Sequence, residues 1–267
     1  MRISDNKSVL NPFIWRILGI GAFLAIWKVA SLSIQSTLIL PDPELVAISL
    51  VRLICTRAFW HAISSSFLRV FEAFLLSIAI GLVTGLSSAT SPKIKAMLSP
   101  FITSIRATPV LALILIAMFW FPSSFVPIFS AVLMAFPIMH TSAEFGAHAT
   151  EVRLLQMASL FHVPKKTIFW QLRFPSALPH ILAGAKNVLG LSWKVIVAGE
   201  VLSQPQFALG TKMQEARLSL ETAEVFAWAA MTVILCGLSE YIFGLMVQAI
   251  SERSHIGSAG NPHRGIS

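Results

Sequence analysis

AISSSFLRVFEAFLLSIAIGLVTGLSSA, residues Ala62–Ala89, carries only two charged side chains, Arg69 and Glu72. It exceeds the roughly 20 apolar residues that a helix needs to cross ~30 Å of hydrocarbon. As an open strand or loop it would leave backbone groups unpaired in lipid, so it reads as a spanning helix. Gly81 and Gly85 form a small-xxx-small pair and predict a second helix at close approach. Outward from this stretch, apolar runs at about Ile14–Ile34, Thr108–Phe121, Ser124–Ser142, Ile181–Leu202 and Val225–Ile250 complete a set of six spans. Thr108–Phe121 covers only about 21 Å as a helix. It is therefore expected to lie buried among its neighbours, with Pro109 and Pro122 setting its ends. Pro127 and Pro137 predict kinks in the span that follows.

Composition agrees with an all-α membrane protein. Apolar residues make up 55% of the chain and charged ones 12%, about half the roughly 25% charge of soluble domains. The net charge of +8 does not point to nucleic acid, because the basic residues are scattered between apolar runs and not gathered in an aromatic-lined stripe. They sort by side instead. With the amino terminus inside, Arg2, Lys7, Arg16, Lys93, Lys95, Arg106, Arg153, Lys165, Lys166, Arg173, Arg253 and Arg264 fall on the cytoplasmic side, against Arg52, Arg57, Lys212 and Arg217 outside. That excess follows the positive-inside rule. The expected plan is a cytoplasmic amino terminus over residues 1–13, a membrane domain over 14–250 and a cytoplasmic tail over 251–267. Lys28 interrupts the first apolar run and no small-x-small cleavage site follows it, so the run reads as an uncleaved helix and not as a secretion signal. Cys55 and Cys236 fall in segments placed far apart, and no disulfide is expected.

The insertion over residues 144–180 is the longest polar stretch between spans. Thr150 is placed to cap a first short helix, Glu151 to about His162, with Leu154, Ala158 and Phe161 on one face. Val163 is turned away from helix by Pro164, which suits the start of a second helix to about Arg173. An apolar face with Lys165 and Lys166 beside it suits docking into a partner's groove. A plain connecting loop is the alternative.

Arg69, Glu72, Lys194, Glu200 and Glu240 are ionisable residues inside predicted spans, where a charge costs at least ~2.5 kcal/mol at mid-bilayer. Arg69 and Glu72, three apart, are expected to neutralise each other. Lys28 and Lys186 can snorkel to an interface. Lys194 and Glu200 point to different faces and need partners on other helices; Glu200, near the outer end of its span, serves either as a gate or as a bond between helices. Arg69, Lys194 and Glu200 are the candidates for the pathway. Trp15, Trp60, Trp170 and Trp228 fall near predicted interfaces.

Chemistry inside the chain is poorly supplied. His140, Glu144 and His148 share a helix face and could serve a membrane enzyme acting on lipid, yet no nucleophile motif or carboxylate pair stands beside them. The seven histidines lack HExxH spacing, so no metal is expected. No GxxxxGK[ST] loop is present, so ATP would be bound by another chain. An ion-driven transporter usually shows two matching halves, and no repeat is visible.

Residue order adds a resemblance. QMASLFHVPKKTIFWQLRFPSALPHILAG, Gln156–Gly184, resembles the coupling loop of binding-protein-dependent ABC importer permeases. In that family the loop opens Glu-Ala-Ala, has a glycine shortly after, and ends in a Pro-x-x-x-Pro lead into the next span. Here Gln156, Met157 and Ala158 stand at the triplet, His162 at the glycine, and Pro175 and Pro179 at the prolines. The likeness extends over about Ile14–Ile250: SSSFLRVFEAFLLSIAIGLVTGL, SPFITSIRATPVLALILIAMFWF and LSWKVIVAGEVLSQPQFALG are similar to the family's second, third and fifth spans in its nitrate, sulfonate and taurine branch. Ala73 replaces a glycine often found in the family, and Pro122 stands near another. The resemblance implies a type I ABC importer fold and no enzymatic activity. It also implies a second permease subunit, cytoplasmic ATP-binding subunits, a periplasmic or external solute-binding protein and residence in a bacterial inner membrane. It assigns the ATPase contact to Gln156, Met157, Ala158, Phe161, His162, Val163, Pro164 and Lys165. The solute implied is a small anion, with a vitamin precursor as the alternative.

Overall fold

The computed structural model describes residues 12–259, and the expectations for 1–11 and 260–267, including Arg2, Lys7 and Arg264, lie outside the described residues. Every described element is a helix: α1 (Pro12–Ile34), α2 (Pro43–Ile54), α3 (Arg57–Thr90), α4 (Pro92–Ala107), α5 (Val110–Trp120), α6 (Val126–His148), α7 (Val152–Leu160), α8 (Lys165–Ile168), a π-helical segment (Phe169–Arg173), α9 (Phe174–Ser203), α10 (Leu209–Leu218) and α11 (Thr222–Ala259). Five are long and apolar enough to cross a membrane, and α4 with α5, bent by 103°, brings the number to six if that pair is one span.

The core is the sandwich of α3, α6 and α9. Small residues on α3 make it possible: a side chain at Gly81 would meet the Phe136 carbonyl oxygen at 2.9 Å, and one at Gly85 would meet the Ala143 Cβ at 2.8 Å. α3 and α6 therefore touch backbone to side chain, as the glycine spacing predicted. Trp193, Phe59, Met139, Ile196 and Val188 fill the space between the layers. Phe59 stacks at 5.2 Å between ring centroids on Trp228, which is buried and so is a packing residue, not part of an interfacial belt.

Several features add to or differ from the sequence reading. The segment from Pro92 is a full helix, because Pro92 can begin one and Ser91 is extended just before it. α5 is not enclosed: Leu113, Ile114 and Ala117 face the bundle, while Phe119 is 87% exposed and Leu111, Leu115 and Trp120 are also open. A helix of this length can bury only one side against α6 and α9 in a single chain. Between the fifth and sixth spans the chain forms α10, whose Leu209 is fully buried. Lys28 does not snorkel free; its Nζ lies 3.2 Å from Asp42 and 2.8 Å from Glu44, tying α1 to the start of α2. The Ser31 hydroxyl donates to Asp42 at 2.9 Å, and with Lys28 it holds that carboxyl below the usual carboxylate range.

Candidate functional site

The insertion forms a hairpin outside the core. Glu151, not Thr150, stands at the cap position before α7: the Thr150 hydroxyl is buried without a partner among the described residues, and no side chain caps the helix. The end of α7 is closed by a Schellman motif. Val163 N–H donates to Ala158 O at 3.0 Å and His162 N–H to Ser159 O at 3.1 Å, with His162 left-handed at φ 51°. His162 thus occupies the backbone position that glycine adopts freely, which gives a physical reason for the glycine in the resembled pattern. Histidine tolerates this region better than most residues but at a cost. Replacing His162 with Gly is expected to tighten the turn by about 0.5–1 kcal/mol. Hydrogen exchange of the Val163 amide should slow by about 2- to 5-fold, and faster exchange would contradict the assignment.

Beyond the turn, Pro164 precedes α8, and the chain runs through the π segment into α9 without a break, so Lys165–Ser203 is one continuous rod. Pro175 falls in the first turn of α9 and Pro179 lies inside it; neither ends the helix. The flanking helices thus extend into the insertion from both sides. Between α7 and the rod lies a hollow of about 280 Å³ lined by Leu154, Met157, Ala158, Phe161, Val163 and Ile168 among others. Ala158 is buried, Val163 half-buried, and Gln156, Met157, His162, Pro164 and Lys165 are exposed, with Phe161 76% exposed. The structure therefore brings the predicted coupling residues together around one turn, with apolar side chains that no other element covers among the described residues.

The pathway candidates divide. Arg69 does not pair with Glu72: its Nη1 donates to Glu200 Oε1 at 2.9 Å, joining α3 to α9. Glu72, one turn further on, is exposed. Glu200 is fully buried and accepts from the Ser66 hydroxyl at 2.7 and 2.8 Å and from Gly210 N–H at 3.1 Å. Leu209 N–H donates to Ser66 at 2.9 Å and Arg69 Nη2 to the Gln206 carbonyl at 3.3 Å. Glu200 is thus a bond between helices that also anchors the α9–α10 loop. Gly210 allows it, since a side chain there would meet Val197 O at 2.6 Å. Sequence reading missed Ser66, 134 residues from Glu200, and Gly210, ten residues on but beyond the helix end; neither carries a charge. Lys194 joins no such cluster and is exposed on α9.

A second polar cluster sits toward the other end of the bundle. Lys95 lies 2.6 Å from Glu144, His140 lies 3.6 Å from Glu144 and 3.1 Å from Thr84, and Arg106 donates to Pro137 O at 2.9 Å and to Thr141. His140 and Glu144 thus fasten α3, α4 and α6 together, while His148 is exposed.

Comparison with known proteins fits this architecture. The model of the family described as "Binding-protein-dependent transport system inner membrane component" matches residues 77–254. The chain is 28% identical to the taurine transport system permease protein of Escherichia coli (strain K12), covering 80% of each. It is 25% identical to a putative aliphatic sulfonates transport permease protein of Bacillus subtilis (strain 168), over 85% of this chain and 82% of that one. It is 27% identical to a bicarbonate transport system permease protein of Synechococcus elongatus, over 76% and 77%. Among solved structures, an amino acid ABC transporter superposes with a TM-score of 0.56 at 18% identity, covering 72% of this chain and 94% of that one. An inward-facing methionine ABC transporter gives 0.56 at 16% identity, over 73% and 94%. The fold is that of the type I importer permeases. With two thirds of its length matched by the family model, the chain belongs to the binding-protein-dependent inner membrane components and is a multi-pass permease subunit of an ABC importer, not an enzyme.

Proposed function

We propose that the chain is half of a two-copy permease importing a small anion of the taurine, alkanesulfonate, nitrate or bicarbonate kind. ATP is bound by separate cytoplasmic subunits, and solute arrives from an external binding protein. Both termini and the α7–α8 hairpin then lie on the cytoplasmic side. Gln156, Met157, Phe161, His162, Pro164 and Lys165 face the ATPase, while Ala158 and Val163 shape the turn that presents them. Taurine, aliphatic sulfonates and bicarbonate are what the relatives named above carry, and nitrate is added by the likeness to that branch.

The observation that carries this reading is the union of an uncovered apolar turn with an unbroken helix into the core. A partner that binds the turn differently in two nucleotide states can shift a helix equilibrium only if the link is stiff. The Schellman closure at His162 and the rod from Lys165 supply that stiffness.

Phe161→Asp tests it most cleanly, because an exposed side chain supports little of the hairpin itself. Uptake by cells carrying the whole transporter should fall at least ~10-fold, about 1.4 kcal/mol of docking energy. ATP hydrolysis should persist uncoupled and membrane insertion should be unchanged. Ala158→Asp should do the same and also loosen the turn, since Ala158 faces inward. Normal transport by both variants would remove the hairpin from the coupling role. Its sidedness has its own check: a cysteine replacing Ser159, with Cys55 and Cys236 changed to Ser, should react with an impermeant thiol reagent only after cells are opened. Reaction in intact cells would invert the topology.

A further inference from the structure

α9 is the central helix of the bundle. Ala185, Val188, Ser192, Ile196 and Ser203 are buried on its inner faces. On its outer side Ala183, Lys186, Asn187 and Lys194 are exposed, with Gly190 buried between the last two. Lys194 makes no hydrogen bond or ion pair among the described residues. Its flanks are defined. Four residues before it, Gly190 abuts Glu240 of α11, with Cδ 3.4 Å from where a Cβ would stand. Four residues after it, Ala198 packs on Ile114, Ala117 and Val126, the cluster that joins α5 to α6. Lys194 therefore looks out through a slot between α5 and α11.

Its depth makes that position costly. Lys194 lies about 13 Å along the helix from Ser203 at ~1.5 Å per residue, within the apolar length of α9. An ammonium facing hydrocarbon there is unfavourable, and such residues face a water-filled cavity or a partner. Asn187, two turns away on the same side, has the same requirement for polar surroundings. A pair of exposed polar side chains at heptad spacing on a central helix, with Gly190 and the Glu240 beside it between them, fits a solute route better than a lipid face. An ammonium has three donors and an asparagine amide two, and neither group offers negative charge, so together they suit an oxyanion head group.

We infer that Lys194 and Asn187 form a contact station for the anionic solute on its way along α9, an inference that rests on the proposed import of an anion. The station and the hairpin share one rod. Lys194 is about 44 Å along that rod from Lys165, so a movement imposed at the hairpin changes the station's setting directly.

The test uses the complete transporter, permease with its ATPase and binding protein, in proteoliposomes, with radiolabelled taurine, nitrate and bicarbonate as probes. Lys194→Gln should lower uptake of the transported anion at least ~10-fold while assembly and basal ATP hydrolysis stay at the wild-type level. Lys194→Arg should restore most of the rate, which a purely steric role would not require. Independently of Lys194, Asn187→Cys in a background lacking Cys55 and Cys236 should react with an anionic methanethiosulfonate reagent, and the transported anion should slow that reaction. Wild-type uptake by K194Q, or an unreactive Asn187→Cys, would overturn the inference alone. So would recovery of K194Q on adding Glu72→Gln or Glu240→Gln, because the lysine would then serve to neutralise a carboxylate. Failure of the wild-type transporter to take up any of the three anions would overturn the solute class together with the station.

Discussion

Glu200→Ala should lower the apparent melting temperature of the detergent-solubilised protein by about 10 °C, the equivalent of a loss of roughly 3–5 kcal/mol. The variant strips one buried acceptor from three donors at once: the Arg69 guanidinium, the Ser66 hydroxyl and the Gly210 amide. Neutral bonds between membrane helices average only about 0.6 kcal/mol, because helices separated in the membrane also find partners. Here most of the cost comes from the guanidinium left behind, with its side chain only 12% exposed. Glu200→Gln should lose less, since an amide oxygen can still accept from Ser66 or Gly210. Replacing both ends, Arg69→Met with Glu200→Leu, should recover part of the loss by removing the unpaired charge altogether. Scanning fluorimetry on intrinsic tryptophan suits the measurement, because Trp193 is buried on the same helix. A Glu200→Ala protein melting within about 2 °C of wild type would show that the cluster contributes nothing to holding α3, α9 and α10 together.

Gly85→Leu should be more disruptive still and yield no monodisperse protein on extraction. At Gly85 the neighbour across the contact is the His140 backbone carbonyl, which cannot swing aside as a side-chain tip can. The only relief is separation of α3 from α6, and that opens the core around Met139, Val70 and Ala135. Gly85→Ala adds one carbon and should cost about 1–3 kcal/mol, the usual range for overpacking a tight site. Gly237→Ala on α11 is the control: nothing lies within 4 Å of its added carbon, so its melting should match wild type. Wild-type yield and melting for Gly85→Leu would mean that the two helices do not pack as described.

The same residues show how far a sequence can be read. Arg69 has a carboxylate three residues away in Glu72, and local spacing favours that pair. The fold prefers Glu200, more than a hundred residues along the chain, because the face of α3 that bears Ser66 turns inward while Glu72 points away from the bundle. Spacing along one helix cannot register which carboxylate another helix brings into reach. The α7 turn shows a similar division. The apolar face through Leu154, Ala158 and Phe161 was legible from spacing, but the left-handed backbone at His162 was not, since histidine there does not announce a turn as glycine would. Pro175 and Pro179 were legible as the entry to the fifth span, but not that the helix runs through both of them, with a π-helical turn over Phe169–Arg173 just ahead of Pro175.

What the sequence by itself determined was the membrane class, the apolar stretches that become long helices, the glycine-mediated contact on α3 and the position of the hairpin, because each follows from local hydrophobicity, residue size or helical periodicity. Only the tertiary structure decided the partner of Arg69, the burial of Glu200 beneath α10, the openness of α5 and the exposure of Asn187 and Lys194 on α9. These depend on which faces meet when helices pack, and that choice is made by the total burial of the whole bundle and not by any one segment.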